Sequence, residues 1–155
     1  MKRYVVIGNG TAGASAVSQI RKRDKESSIL VFTKENHPYY YRPKLPDYIN
    51  GSVKLNGFTM HALSQYAEWN VDVRLGETVI GIDPEKREVT GETTGKAPYD
   101  ELLLAAGSSS FLPPVEGNGK AGVFTLRTLD DADALIAASK KTKTAILVGG
   151  GLLGL

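Results

Sequence analysis

Residues 5–13 read Val-Val-Ile-Gly-Asn-Gly-Thr-Ala-Gly, an apolar run that breaks into Gly-x-Gly-x-x-Gly. No other feature restricts the fold as much. The run ahead of the glycines, RYVVI, is β-branched and unbroken by polar residues, the pattern of a parallel strand buried on both faces. The segment behind them, TAGASAVSQIRKR, reads as a helix whose small residues, among them Ala12 and Ala16, form a face that presses closely on a sheet. A strand that enters a helix through three glycines is the opening of a dinucleotide-binding unit. Gly8 allows the tight turn, Gly10 lets a pyrophosphate approach the backbone, and Gly13 lets helix and strand pack closely. The pyrophosphate is expected on the amide donors of the helix N-terminus, at Thr11, Ala12 and Gly13. SSILVFT supplies the second strand, so residues 3–33 form a β-α-β unit with a right-handed crossover. The pattern also calls for an acid about 20 residues further on, at the end of that strand, to take ribose hydroxyls. Thr33-Lys34-Glu35 occupies the place. Glu35 is the candidate, with Lys34 beside it, and a bend in the loop has to bring Glu35 back.

The chain then departs from strand–helix alternation. KENHPYYYRPKLPDYINGS reads as a loop with a short helix near Leu45–Asn50, closed by Gly51. Tyr39, Tyr40 and Tyr41 are expected to pack this loop onto the core, the alternative being a shield over a ligand ring. TMHALSQYAEWN has Met60, Leu63, Tyr66 and Ala67 at helical spacing, and VDVRL follows as a strand. ETVIGIDPEKREVTGE reads as two short strands around a turn at Pro84–Glu85. DELLLAAG is a buried strand, SSSFLPPVEGNGKAG a loop, VFTLRT a short strand and LDDADALIAASKK a helix with Asp130 and Asp131 in its first turn. TAILVGGGLLGL reads as a last buried strand running into a second Gly-x-Gly-x-x-Gly at Gly149, Gly151 and Gly154.

Composition removes several classes of function. With no cysteine, the chain has no disulfide, thiolate metal site, iron–sulfur ligand or cysteine nucleophile. A net charge of +2 and scattered basic residues give no footprint for nucleic acid or an anionic membrane. Lys140, Lys141 and Lys143 read as the solvated end of a helix. His37 and His61, the only histidines, have no spaced carboxylate partners, so no metal is expected. No stretch is long enough to span a membrane, and the apolar run after Met1-Lys2-Arg3 is too short for a signal peptide. A cytoplasmic protein is expected, with no residue acting as a general acid or base.

The order of the motifs resembles the flavin domain of the pyridine nucleotide–disulfide oxidoreductase superfamily. Gly8–Gly13, YRPKLPDYINGS, VIGIDPEKREV, YDELLLAAGS, LRTLDDADAL and ILVGGGLLGL carry the resemblance in the right order over nearly the whole chain. The branch it looks most like holds rubredoxin reductases, ferredoxin reductases and the flavin portion of nitrite reductase large subunits. The resemblance implies an α/β, Rossmann-like FAD-binding domain: a central parallel sheet with helices and a small antiparallel β-meander. It implies FAD as cofactor, NAD(P)H as electron donor of the full-length parent, and a redox carrier protein or fused redox domain as acceptor. In the sibling branch a redox cysteine would fall at Pro43, so electrons are expected to leave the flavin without a thiol relay. By the same resemblance Arg42 and Pro43 lie beside the flavin, and Val79 offers backbone contacts to the adenine. Ala105, Ala106 and Gly107 stand near the flavin phosphates or the adenosine, with Ala106 where the family usually has threonine, and Arg127 is near the flavin.

In that family a nicotinamide domain with its own glycine fingerprint is inserted into the flavin domain. Residues 1–143 are therefore expected to be the N-terminal part of a FAD-binding domain, and residues 144–155 the opening of an NAD(P)-binding domain cut short. Such a fragment is expected to be inactive alone, and its apolar tail to be disordered, to fold back on its own domain or to pair with a second copy. Two other readings stay open: a simple NAD-dependent dehydrogenase, and a non-catalytic dinucleotide-binding module that has lost its cofactor.

Overall fold

The computed structural model describes residues 1–149. They divide into two compact units, residues 1–41 with 55–108, and residues 42–54 with the chain from Ser109 on. Gly151 and Gly154 lie outside the described residues.

The first unit is built on a four-stranded parallel sheet. Its strands are β1 (Arg3–Ile7), β2 (Ser28–Thr33), β3 (Val71–Leu75) and β7 (Glu101–Leu104), in the order β3-β2-β1-β7. Helix α1 (Thr11–Arg23) makes the crossover from β1 to β2, with Val5 beside Leu30 and Val6 beside Val31. On the other side of β1, Val5 lies beside Leu102 and Ile7 beside Leu104. Side chains alternate between the two faces, as the period of a strand requires. Val6, Ile29 and Val31 pack with Val17, Tyr66 and Val71 on one face. Val5 and Phe32 pack with Val89 and Tyr99 on the other. Each fully buried Val or Ile contributes about 1.5–3 kcal/mol.

Val89 belongs to the second sheet, an antiparallel meander of β4 (Val79–Asp83), β5 (Glu88–Gly91) and β6 (Gly95–Pro98). The first two strands match the sequence reading. The third does not appear in it, because Gly-Lys-Ala-Pro has neither β-branched residues nor alternation.

Helix α3 (Leu63–Glu68) is shorter than the span 59–70 suggested by spacing. Thr59 instead forms an isolated bridge with Tyr40, and the N–H groups of Met60 and His61 donate to the Tyr39 carbonyl. At the other end Asn70, with φ 50°, takes the left-handed conformation that stops a helix. Tyr66 is buried while Met60 and Leu63 are exposed.

In the second unit α2 (Leu45–Ile49) contacts α4 (Leu129–Ser139). The Tyr48 hydroxyl donates to Asp133 at 2.8 Å. Leu45, Leu129 and Ala132 are buried. Two expected strands are absent. VFTLRT forms no strand, and residues 144–149 are irregular. Val123, Phe124 and Leu126 are exposed, as are Ile146, Leu147 and Val148. An apolar run becomes a strand only where a neighbouring edge takes its N–H and C=O groups, and among the described residues none pairs with either segment.

Candidate functional site

The glycine turn between β1 and α1 is held from three sides. Gly8 N–H donates to the Phe32 carbonyl at the end of β2, and Ala105 N–H donates to the Ile7 carbonyl, both at 2.8 Å. Gly8 has φ +105°, a conformation reserved in practice for glycine. A Cβ there would stand 2.1 Å from the Ala105 carbonyl oxygen, and one on Gly13 would stand 1.9 Å from the Gly8 carbonyl oxygen. Strand, turn and helix are therefore as close as backbones can come, and only glycine permits it at either place.

Gly10 is the N-cap of α1, its carbonyl accepting from Ala14 N–H at 2.9 Å. No side chain caps this helix end and no acid lies in its first turn, whereas Arg21, Lys22 and Arg23 fill its last. The first N–H groups of any α-helix lack intrahelical acceptors and carry partial positive charge. Thr11 and Ala12 are exposed there, and Gly13 is buried. The arrangement suits an anionic group.

Two residues of the turn have side-chain partners that the sequence did not announce. Asn9 is 7% exposed and accepts a 2.7 Å hydrogen bond from the Tyr66 hydroxyl. Burial pushes the Tyr66 phenol up to about 12, so it remains a donor. The Thr11 hydroxyl accepts from the Tyr39 hydroxyl at 3.2 Å. Tyr39, Tyr66 and Trp69 surround the His61 ring, with ring centroids 5.1–5.9 Å from it. Among the described residues no group of three His, Cys, Asp or Glu is placed to hold a metal ion.

After β2 the chain bends at residues 34–37. The bend brings the Glu35 carbonyl to Gly76 N–H at 3.1 Å, and the Glu35 carboxylate to the Tyr40 hydroxyl at 2.5 Å. Lys34 is exposed and Thr33 buried. Tyr39 and Tyr40 are packed into the core, but Tyr41 is 45% exposed and does not join them.

Val79 begins β4 opposite Gly91, where the register shifts between Val79 and Gly81. Two residues earlier stands Glu77, 4% exposed, which sequence reasoning missed. Its carboxylate accepts from the backbone N–H groups of Thr93 (2.9 Å) and Thr94 (3.0 Å), and from both threonine hydroxyls. The Thr93 hydroxyl, then the Thr94 N–H, hold its pKa down at about 2. Glu77 thereby ties the β3–β4 connection to the β5–β6 turn. No sequence pattern marks it, since the residues that satisfy it come from the next hairpin.

Ala105 is half-buried against the glycine turn, whereas Ala106 and Gly107 are exposed. In the second unit Arg42, Pro43 and Lys44 form one 3₁₀ turn. Arg42 Nε donates to the Arg127 carbonyl at 3.2 Å, so two candidates far apart in sequence meet. Arg127 N–H donates in turn to Asp131 at 2.9 Å. Gly149 is exposed with φ +102°.

Known proteins place this geometry in a family. The chain is 40% identical over 155 residues to "Nitrite reductase [NAD(P)H]" of Bacillus subtilis, covering 99% of this chain and 19% of that protein. It is 34% identical over 155 residues to "Rubredoxin-NAD(+) reductase" of Alcanivorax borkumensis, covering 99% of this chain and 40% of that one. It thus spans about a fifth to two fifths of the length of these relatives. Among solved structures, NADH:rubredoxin oxidoreductase from Clostridium acetobutylicum superposes with a TM-score of 0.84 at 26% identity, covering 99% of this chain and 39% of that one. The family model described as pyridine nucleotide-disulphide oxidoreductase matches residues 2–155, turn, meander and α4 together, and the chain belongs to that family.

Proposed function

We propose that this chain is the FAD-binding portion of an NAD(P)H-dependent flavoprotein oxidoreductase that hands electrons to a redox carrier protein or a fused redox domain. The observation that carries the reading is the glycine turn. The backbones of Gly8, Gly13 and Ala105 are in contact, and the α1 N-terminus beside them has neither a side-chain cap nor an acid. A dinucleotide fits there: its pyrophosphate supplies the acceptor that Thr11, Ala12 and Gly13 lack within the helix. FAD supplies the redox chemistry, taking a hydride and releasing single electrons.

The chain's own residues bind and orient. Glu35 takes the adenosine ribose, the Val79 backbone the adenine, and Ala105–Gly107 the phosphate side of the flavin half. Arg42 and Arg127, already hydrogen-bonded to one another, bring positive charge to the flavin. Pro43 stands where a thiol relay would put its cysteine, and the chain holds no cysteine elsewhere. We assign residues 1–143 to the flavin domain and residues 144–155, with Gly149, Gly151 and Gly154, to the opening of an NAD(P)-binding domain. A simple NAD-dependent dehydrogenase fits less well, because an antiparallel meander stands where such a fold continues with strand–helix units.

The test is a titration of the chain with FAD, FMN and NAD+ followed by flavin fluorescence and calorimetry. FAD is expected to bind more tightly than FMN, which lacks the adenosine half, and more tightly than NAD+. A chain that binds none of the three is a module without a cofactor, and one that prefers NAD+ is a nicotinamide-binding domain.

A further inference from the structure

Tyr39 and Tyr40 are consecutive, both buried, and each hydroxyl reaches a different candidate ligand residue. The segment is extended and fixed along its backbone. Tyr40 forms a bridge with Thr59, Tyr41 N–H donates to the Phe58 carbonyl at 2.9 Å, and Met60 N–H donates to the Tyr39 carbonyl at 2.9 Å. The Tyr40 ring stands edge-on to Phe58, centroids 5.9 Å apart. In an extended segment neighbouring side chains leave in opposite directions. Tyr39 accordingly reaches the Thr11 hydroxyl in the first turn of α1, and Tyr40 reaches the Glu35 carboxylate beyond β2.

We propose that Tyr39–Tyr40 is a two-headed brace that presets both ends of the adenosine diphosphate site, Tyr39 acting through Thr11 at the pyrophosphate end and Tyr40 through Glu35 at the ribose end. The proposal rests on the FAD reading above. Its physical basis is preorganisation. Glu35 sits on a bend rather than in a strand, and its side chain has several rotatable bonds that lose freedom when a ligand fixes it. A buried phenol, held by a backbone zipper, imposes one rotamer before the ligand arrives. The hydrogen bond is charge-assisted and so among the stronger kinds. A carboxylate has about four acceptor positions, so accepting from Tyr40 is compatible with accepting from a ribose diol as well.

The test is a pair of double-mutant cycles on the full chain, read by titration with FAD and FMN. Tyr40→Phe keeps the ring against Phe58 and removes only the hydroxyl. It is expected to weaken FAD about 3- to 10-fold and to leave FMN, which has no adenosine ribose, unchanged. In a Glu35→Ala background the same change is expected to weaken FAD less than about twofold further. Tyr39→Phe with Thr11→Ala forms the second cycle, with the same expected non-additivity toward FAD. Additive effects in either cycle overturn the brace, as does a Tyr40→Phe variant that weakens FAD and FMN alike, the sign of a purely structural role. If the unaltered chain binds no FAD, the dinucleotide reading falls and the brace with it. If it binds FAD and the cycles are additive, the brace alone falls.

Discussion

Helices α1 and α4 are of similar length, 13 and 11 residues, and begin in opposite ways. α4 closes its own N-terminus. The Thr128 hydroxyl accepts from Asp131 N–H at 3.2 Å, the Asp131 carboxylate accepts from Thr128 N–H at 2.9 Å, and Asp130 adds a second acid to the first turn. The donors and the positive dipole end of that helix are answered by its own sequence. α1 has a glycine N-cap, no side-chain acceptor and no acid. What α4 has among its own side chains, α1 lacks. The contrast shows that an added anion is favoured at the start of α1 and not at the start of α4. It also shows that α1 forgoes the stability its first turn could have had, of order 0.5–2 kcal/mol for a capping side chain.

The contrast breaks most readily at Gly10. Gly10→Val puts a branched side chain where the pyrophosphate approaches, and FAD binding is expected to be lost while far-UV circular dichroism shows the fold retained. A variant that still binds FAD stoichiometrically would remove the turn from the site. The next effect comes from making α1 resemble α4. Ala12→Glu places an acid on the exposed first turn, and a thermal melt without ligand is expected to show a gain of about 0.3–1 kcal/mol. FAD affinity is expected to fall by about tenfold, since two anions then compete for one dipole. Tighter FAD binding would mean that this helix end does not face the phosphates. The smallest effect is the reciprocal one. Thr128→Ala opens the capping box of α4 and is expected to cost about 1 kcal/mol in denaturant unfolding, with FAD affinity within twofold of the unaltered chain. A large loss of FAD there would make α4 part of the binding apparatus rather than a self-contained helix.

Both helix starts were legible in the sequence, one from Gly-Asn-Gly-Thr-Ala-Gly and the other from Asp130 and Asp131, although Thr128, read as the end of a strand, proves to be the N-cap. So was the β1–α1–β2 unit, although the face that α1 buries runs through Gly13, Ala14, Val17 and Arg21, while Ala12, expected on the sheet, is exposed. Legibility failed where a residue's partner lies elsewhere. Gly-Lys-Ala-Pro becomes β6 because Val89 and Thr90 stand opposite Ala97 and Lys96, not through any propensity of its own. VFTLRT has the propensity and lacks the neighbour, and stays irregular. Within the site the candidate Glu35 was readable from strand spacing, but Tyr40, which fixes its carboxylate, was not. A tyrosine bound for the core looks the same in sequence as one whose hydroxyl has an errand. Glu77 is hidden for a like reason, its carboxylate satisfied entirely by Thr93 and Thr94 of the following hairpin.

The strand order β3-β2-β1-β7 has a consequence in time. β1 is made first and ends in the middle of the sheet, and the wall against which Gly8 packs is the carbonyl of Ala105. During synthesis at about 5–20 residues per second, roughly 5–20 s pass between the appearance of the turn and the arrival of that wall. Through that interval the β7 side of β1 is uncovered, and the pairing that closes it is of the non-local kind that slows folding. A turn written in the first dozen residues is therefore among the last parts of the first unit to be finished. If the turn takes a dinucleotide as proposed, the ligand stabilises only the chain that has already docked β7, and so acts as a check on completed folding rather than as a seed for it.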